Sequence, residues 1–288
     1  MKLYLSIFGA FIVAVSSLNI KCADSSDERF VNSDGAKTVY HCPMNCEGDK
    51  TYDQPGKCPV CKMALEKINV KKESEKGSVK ISGTMANVMH KGELYGTIDL
   101  DTIANKEHLY GIGPVEFLTA EITIADGIPY VSSVAKDGSI AMKESYKEKA
   151  PFFVYANIEK WKEIKLAEDV QTLTDLESFL DSSTKDHVRP FAFRMEVTID
   201  SAQIHIVDLP PGTVVKSPDD AHKGQKPFSL ANENVELIGF FSTEHQGVFT
   251  HHDTFLHVHL ITSDKKKMGH LDSMILKKGS AKLFVPAE

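Results

Sequence analysis

Three histidines near the C-terminal end, His257, His259 and His270, have the residue type and spacing to hold a metal ion. On an extended strand, residues i and i+2 point to the same face, so His257 and His259 present two imidazoles side by side. A hairpin through residues 263–268 would return His270 on the neighbouring strand. Three imidazoles that leave one position open are the donor set of a catalytic zinc site. The chain has 12 histidines, crowded toward this end, and histidine is the commonest metal ligand. A lone histidine is ordinarily a plain core or surface residue; three in this arrangement point to metal. His245, His251 and His252 stand just before the motif and read as surface residues or as extra ligands.

A second constellation lies near the N-terminus. Cys42 and Cys46 are separated by three residues, Cys58 and Cys61 by two, and eleven residues lie between the pairs. Two close pairs on tight turns can bring four sulfurs to the corners of a tetrahedron, which suits zinc or another thiophilic metal. Met44 and Met63 each sit near a pair and could add thioether sulfur, which favours monovalent copper. The alternative is a framework of two disulfides, because an exported chain meets an oxidising environment.

The elements that must position these groups are mostly short β-type runs. Residues 94–100, 121–124, 152–156, 191–199, 235–241 and 255–262 are rich in β-formers, and several alternate apolar and polar residues as half-buried strands do. Residues 85–90 and 170–180 read as helix. Asp126-Gly127, Asp137-Gly138 and Pro210-Pro211-Gly212 mark turns. The expectation is a β-rich α+β domain over residues 81–288. Net charge is −7, so no basic face favours nucleic acid as a partner.

The N-terminal segment reads as an export signal. Lys2 precedes an apolar run over residues 3–15, too short to span a bilayer of ~30 Å as a helix, and Ser16 and Ser17 follow. Cys22 is a candidate lipid attachment point, although Lys21 departs from the usual small residue, and cleavage near Ser17 is the alternative. The expected order is signal (1–22), polar tether (23–38), cysteine module (39–67), charged linker (68–80) and main domain. The protein is therefore expected to be periplasmic, or a lipoprotein tethered to a membrane through Cys22.

Two resemblances sharpen this. Tyr40-x-Cys42-Pro43-Met44, followed by Pro55-Gly56-Lys57-Cys58-Pro59-x-Cys61-x-Met63, resembles the small heavy-metal-binding domain fused to bacterial copper-handling proteins. That family usually reads Cys-Pro-Met-His-Pro; here Asn45 and Cys46 fill the last two places. A thiolate would then replace an imidazole, and zinc and copper both stay open as the module's metal.

The C-terminal motif, His-x-His then Gly-His-Leu-Asp, resembles acetolactate decarboxylase. Gly83-Thr84-Met85-Ala86-Asn87-Val88-Met89 is similar to that family's opening helix. Gly111-Ile112-Gly113-Pro114, continuing through Leu118 to Glu121, is similar to its Gly-Leu-Gly-Thr-x-x-x-Leu-Asp-Gly-Glu segment. The match runs over roughly residues 82–284. It implies a fold of two β-rich parts, a mixed sheet and barrel, assembled as a homodimer. It also implies zinc on His257, His259 and His270, and an active-site carboxylate at Glu121. The small-molecule substrate would be 2-acetolactate, converted to acetoin and carbon dioxide.

Without the resemblance Glu121 would read as a solvated strand residue. The family's active-site arginine has its nearest counterpart around His205-Ile206-Val207-Asp208-Leu209-Pro210, where no arginine stands, and Arg189 and Arg194 do not match that place. The family also folds a C-terminal glutamate into its site, and that group is expected to be missing here. These departures keep a second expectation open, a non-catalytic metal-binding or copper-handling protein on a decarboxylase scaffold. A cupin-like barrel is a third, but only Asp264 stands where cupins expect a glutamate.

Overall fold

Alternation sets the longest element of the protein. From Phe191 to Val207 nearly every second side chain is buried, and the chain forms one 17-residue strand. The expected strand ended at residue 199. It continues because Ala202, Ile204 and Ile206 resume the inward alternation after an irregularity in register between Ile199 and Ser201. Its partner Gln225–Phe241 is equally long, and the two pair antiparallel from Phe191 opposite Phe241 to Val207 opposite Gln225.

The computed structural model describes residues 36–42, 51–71 and 77–287. The expected signal segment, Cys22, Met44 and Cys46 lie outside these. The chain divides into two units, ending and beginning at Lys72 and Glu73.

In the first unit, Ala36–His41 is the central strand between Thr51–Tyr52 and Glu66–Lys71. This strand begins inside the segment expected to be tether.

In the second unit there are two six-stranded sheets. One runs in the order Lys80–Ser82, Phe153–Asn157, Leu109–Pro114, Glu121–Ala125, Ile128–Val134 and Ile140–Glu144, antiparallel throughout. Asp126 and Gly127 take left-handed φ of 47° and 80° in its tightest hairpin, the geometry of a two-residue turn matched to strand twist. In the other, Phe191–Val207, Gln225–Phe241, Leu256–Thr262 and Met268–Leu276 pair in succession, and the last also pairs with the first. Four strands thus close on themselves. Lys282–Pro286 and Trp161–Ile164 extend the sheet beyond Phe191–Val207.

One face of the closed strands buries Met195, Ile199, Leu237, Leu260 and Leu271 together with Leu176 and Leu180 of a helix. The other face packs Ala192, Ile238, Phe240 and Ile261 against Tyr110 and Ile112 of the first sheet. Apolar burial on both faces is the main driving force for this stack, at about 25 cal/mol per Å².

Two expected elements shift. The helix runs Leu173–Ser183, not 170–180, because Thr172 and Asp175 form a reciprocal capping box that starts it. The expected strand at 94–100 shrinks to Ile98–Asp99, where Asp99 caps a short 3-10 turn, Leu100–Thr102.

Candidate functional site

The histidine motif forms the hairpin its spacing implies. Leu256–Thr262 and Met268–Leu276 are antiparallel neighbours, with His259 directly opposite His270. On the other flank His270 faces His205 of Phe191–Val207. Three adjoining strands therefore carry His259, His270 and His205 in one row, with His257 two residues from His259. Ring centroids are 5.2 Å apart for His257–His259, 5.1 Å for His257–His270, 5.7 Å for His259–His270 and 4.6 Å for His205–His270.

Burial makes this row chemically unusual. His257 and His259 are buried, and burial is the main cause of the lowered pKa of all three motif histidines, pushed down to about 4 for His270. The rings are neutral near pH 7 and can donate lone pairs. Among the described residues, Nδ1 of His257, Nε2 of His259 and Nδ1 of His270 are buried without a hydrogen-bond partner. An unsatisfied buried polar group costs about 1–3 kcal/mol. A divalent cation suits this donor set, because neutral imidazoles are ordinary zinc ligands.

The first sheet supplies the facing groups. Strand alternation puts Glu121 and Thr123 on one face of Glu121–Ala125. Glu121 is 3% exposed, so it is not a solvated strand residue. Its Oε1 accepts the Val207 N–H at 3.3 Å, and its Oε2 lies 3.7 Å from His259 Nε2. Burial raises its pKa to about 7, against the opposing pull of His205 and the Val207 hydrogen bond. The Thr123 hydroxyl meets His259 Nδ1 at 2.9 Å.

Three members of the cluster escaped the motif. His205 lay in the segment compared with the family's arginine, but nothing local marked it as a neighbour of His270. Asp272 followed the motif's leucine without an assigned role; it binds His205 Nδ1 at 2.6 Å. Its contact with His270 Nδ1 is 3.4 Å and leaves that nitrogen without a hydrogen bond. Burial opposes the charged forms of both His205 and Asp272. Their mutual interaction outweighs it, raising the His205 pKa and lowering that of Asp272. Ligand atoms of His205, His270 and Asp272 all lie within 4.8 Å of one another. Thr123 carried no signal, since its partner is 136 positions away.

Of the other expected groups, His251 reaches the row and the rest engage other partners. His251 comes edge-on to His270 with centroids 5.7 Å apart. His245 is held by Ser242 at 2.8 Å and stacks on Phe249, and His252 is exposed. Arg189 pairs with Asp181 at 2.8 Å and covers Phe241. Arg194 pairs with Glu196 at 2.8 Å and covers Phe284. Asp264 accepts hydrogen bonds from Thr262 and Lys266 in the hairpin turn, so it does not play the part of a cupin's glutamate. A cleft of about 820 Å³ around Tyr110, Trp161 and Arg194 is lined by none of the clustered histidines.

In the first unit Cys42, Cys58 and Cys61 converge, with ligand atoms within 4.8 Å of one another. Cys42 and Cys61 sulfurs are 3.5 Å apart, far beyond the ~2.05 Å of a disulfide bond. A tight turn joins Cys58 to Cys61: Lys62, in the left-handed region, donates its N–H to the Cys58 carbonyl, and Cys58 donates to that of Met63. Met63 is 47% exposed.

A row of imidazoles facing a buried carboxylate, between an antiparallel sheet and a four-strand closure, makes this a two-sheet protein with a donor-rich seam. The chain belongs to the alpha-acetolactate decarboxylase family, whose model matches residues 81–285. Residues 39–68 match the heavy metal binding domain. Alpha-acetolactate decarboxylase from Bacillus subtilis strain 168 is similar in structure, with 19% identity, a TM-score of 0.58, and coverage of 73% of this chain and 86% of that one. The enzyme from Bacillus subtilis subspecies spizizenii gives 20%, 0.60, 73% and 86%. A Staphylococcus aureus protein of unknown function, described as similar to the decarboxylase, gives 17%, 0.56, 72% and 84%. At these identities the likeness establishes the fold. No curated protein matches in sequence.

Proposed function

We propose that this protein decarboxylates 2-acetolactate, or a related β-keto acid, to acetoin and carbon dioxide, with zinc held by His257, His259 and His270. The observation that carries this reading is the set of three neutral imidazoles, two of them buried, each with a buried nitrogen unpartnered among the described residues, beside a buried carboxylate. A cation bound there supplies Lewis-acid stabilisation of the negative charge that develops on the substrate oxygen as carbon dioxide leaves.

Glu121 does the proton work. Its raised pKa, about 7, lets it hold a proton near neutral pH, where an ordinary carboxyl group is ionised. The Val207 N–H fixes Oε1, leaving Oε2 on the histidine side to deliver that proton to carbon. When the carbon–carbon bond breaks, its electron pair moves onto the neighbouring carbonyl oxygen. Proton delivery to carbon then regenerates the ketone. Burial of Glu121 and Thr123 keeps bulk water from competing as acid.

The test is direct. Pure protein loaded with zinc is incubated with 2-acetolactate and acetoin is measured. Acetoin formation that vanishes together with bound zinc in His259→Ala is expected; zinc-loaded protein that makes no acetoin overturns the reading.

A metal-binding or copper-handling role without catalysis is the second reading. The engagement of both described arginines elsewhere favours it, as does the three-thiol cluster, which accepts zinc or copper. Copper at both clusters, with transfer to a partner, would select it. We further propose export to the periplasm or a membrane tether through a lipid on Cys22, and assembly as a homodimer.

A further inference from the structure

We propose that Thr123 is a positioning residue that fixes His259 as the Nδ1–H tautomer and so turns its Nε2 lone pair into the seam beside Glu121. A neutral imidazole has one donor and one acceptor nitrogen, and what one nitrogen meets decides the role of the other. Thr123 Oγ1 lies 2.9 Å from His259 Nδ1. Both residues are 0% exposed, so no bulk water competes for that nitrogen.

A hydroxyl can donate or accept, so this contact alone does not choose the tautomer. The other nitrogen decides it. Nε2 is buried with no hydrogen-bond partner among the described residues, and a buried N–H without an acceptor is rarer than a buried lone pair without a donor. Nδ1 therefore carries the proton, and the Thr123 hydroxyl accepts it.

One strand thus grips both sides of a ring on the opposite sheet. Glu121 approaches Nε2 at 3.7 Å while Thr123 holds Nδ1. Groups that orient a ligand histidine in this way change metal affinity by about 10- to 100-fold when removed. The part concerning metal rests on the three-histidine reading; the tautomer does not.

The experiment uses the full chain as wild type, Thr123→Val and Thr123→Ser. Long-range proton–nitrogen correlation spectra of the metal-free, ¹⁵N-histidine-labelled proteins read the His259 tautomer, with its signals assigned by their loss in His259→Gln. Zinc affinity is measured by competition with a chromophoric chelator. The cysteine module is the same in every variant, so differences report on the histidine cluster. Wild type and Thr123→Ser are expected to show the Nδ1–H form and similar affinity. Thr123→Val is expected to lose that preference and bind zinc about 10- to 100-fold more weakly.

An unchanged tautomer and unchanged affinity in Thr123→Val overturn the proposal. If His259→Gln itself leaves zinc affinity unchanged, the metal reading has failed, and the tautomer spectra still decide the role of Thr123. Should Thr123→Val not fold, Thr123→Ala removes the same hydroxyl and is read in its place.

Discussion

His259 and His270 stand directly opposite each other on neighbouring antiparallel strands, and each carries a buried nitrogen without a hydrogen-bond partner among the described residues. A register slip of one residue would turn one of these imidazoles to the opposite face, into the apolar core, because side chains alternate with a period of two. The site therefore depends on the pairing of Met268–Leu276 with both of its neighbours.

Gly269 lies within that pairing. A Cβ there would lie 2.6 Å from the His205 carbonyl oxygen, which is backbone and cannot rotate away. Gly269→Ala is expected to push the two strands apart, lowering stability by about 1–3 kcal/mol and weakening zinc binding together with it. Urea denaturation and chelator competition read both effects. A variant with wild-type stability and affinity would contradict this account of the register.

Glu121→Gln keeps the size of the side chain and its ability to accept the Val207 N–H, but removes the transferable proton. Loss of a general acid costs typically 10²- to 10⁴-fold in rate. Acetoin formation is expected to fall by about that factor while bound zinc stays at the wild-type level. A drop in zinc that matches the drop in rate would instead make Glu121 a ligand.

Acid should destabilise the metal-free protein. For His257, His259 and His270 the folded pKa lies below the unfolded value of 6.5, so the unfolded chain binds more protons as pH falls below about 6.5. Each group then contributes up to about 1.4 kcal/mol per pH unit of lost stability. Glu121 acts the other way. Its folded pKa, about 7, exceeds the ordinary carboxyl value of 4.5, so its contribution is fully present below pH 4.5 and is lost as pH rises toward 7. His205, raised above 6.5, has its contribution in place below that pH and leaves the acid limb unchanged. Three groups outweigh one. Stability measured by urea denaturation in chelator is expected to fall from pH 6.5 to 5, and more steeply in Glu121→Gln. Stability that rises over this interval would refute neutral burial of the histidines.

The thiol cluster and the histidine cluster lie in different units of the chain. Cys58→Ser removes one of three converging sulfurs at a fully buried position. It is expected to lower the bound metal by one ion per chain, read by elemental analysis, and to leave acetoin formation unchanged. Joint loss of both would tie the cysteine module to the chemistry.

Much of the site could be read from the chain itself. His257 and His259 share a face because covalent geometry alternates side chains along any strand, and the turn after Thr262 leaves His270 little choice of neighbour. The hairpin at Asp126-Gly127 and the helix near residue 85 were legible for the same reason: their signals lie within a few residues. The two longest strands were underestimated, because Ala202, Ile204 and Leu230 owe their burial to partners far along the chain.

Sequence alone determined the paired histidines, the cysteine spacing and the β-rich character, since each follows from local backbone geometry and residue type. Only the tertiary structure decided that His205 completes the row, that Asp272 holds His205, and that Glu121 and Thr123 are buried against His259. Those contacts form when two sheets bury their apolar faces together. That packing is a sum over many distant residues, which no short stretch of sequence encodes.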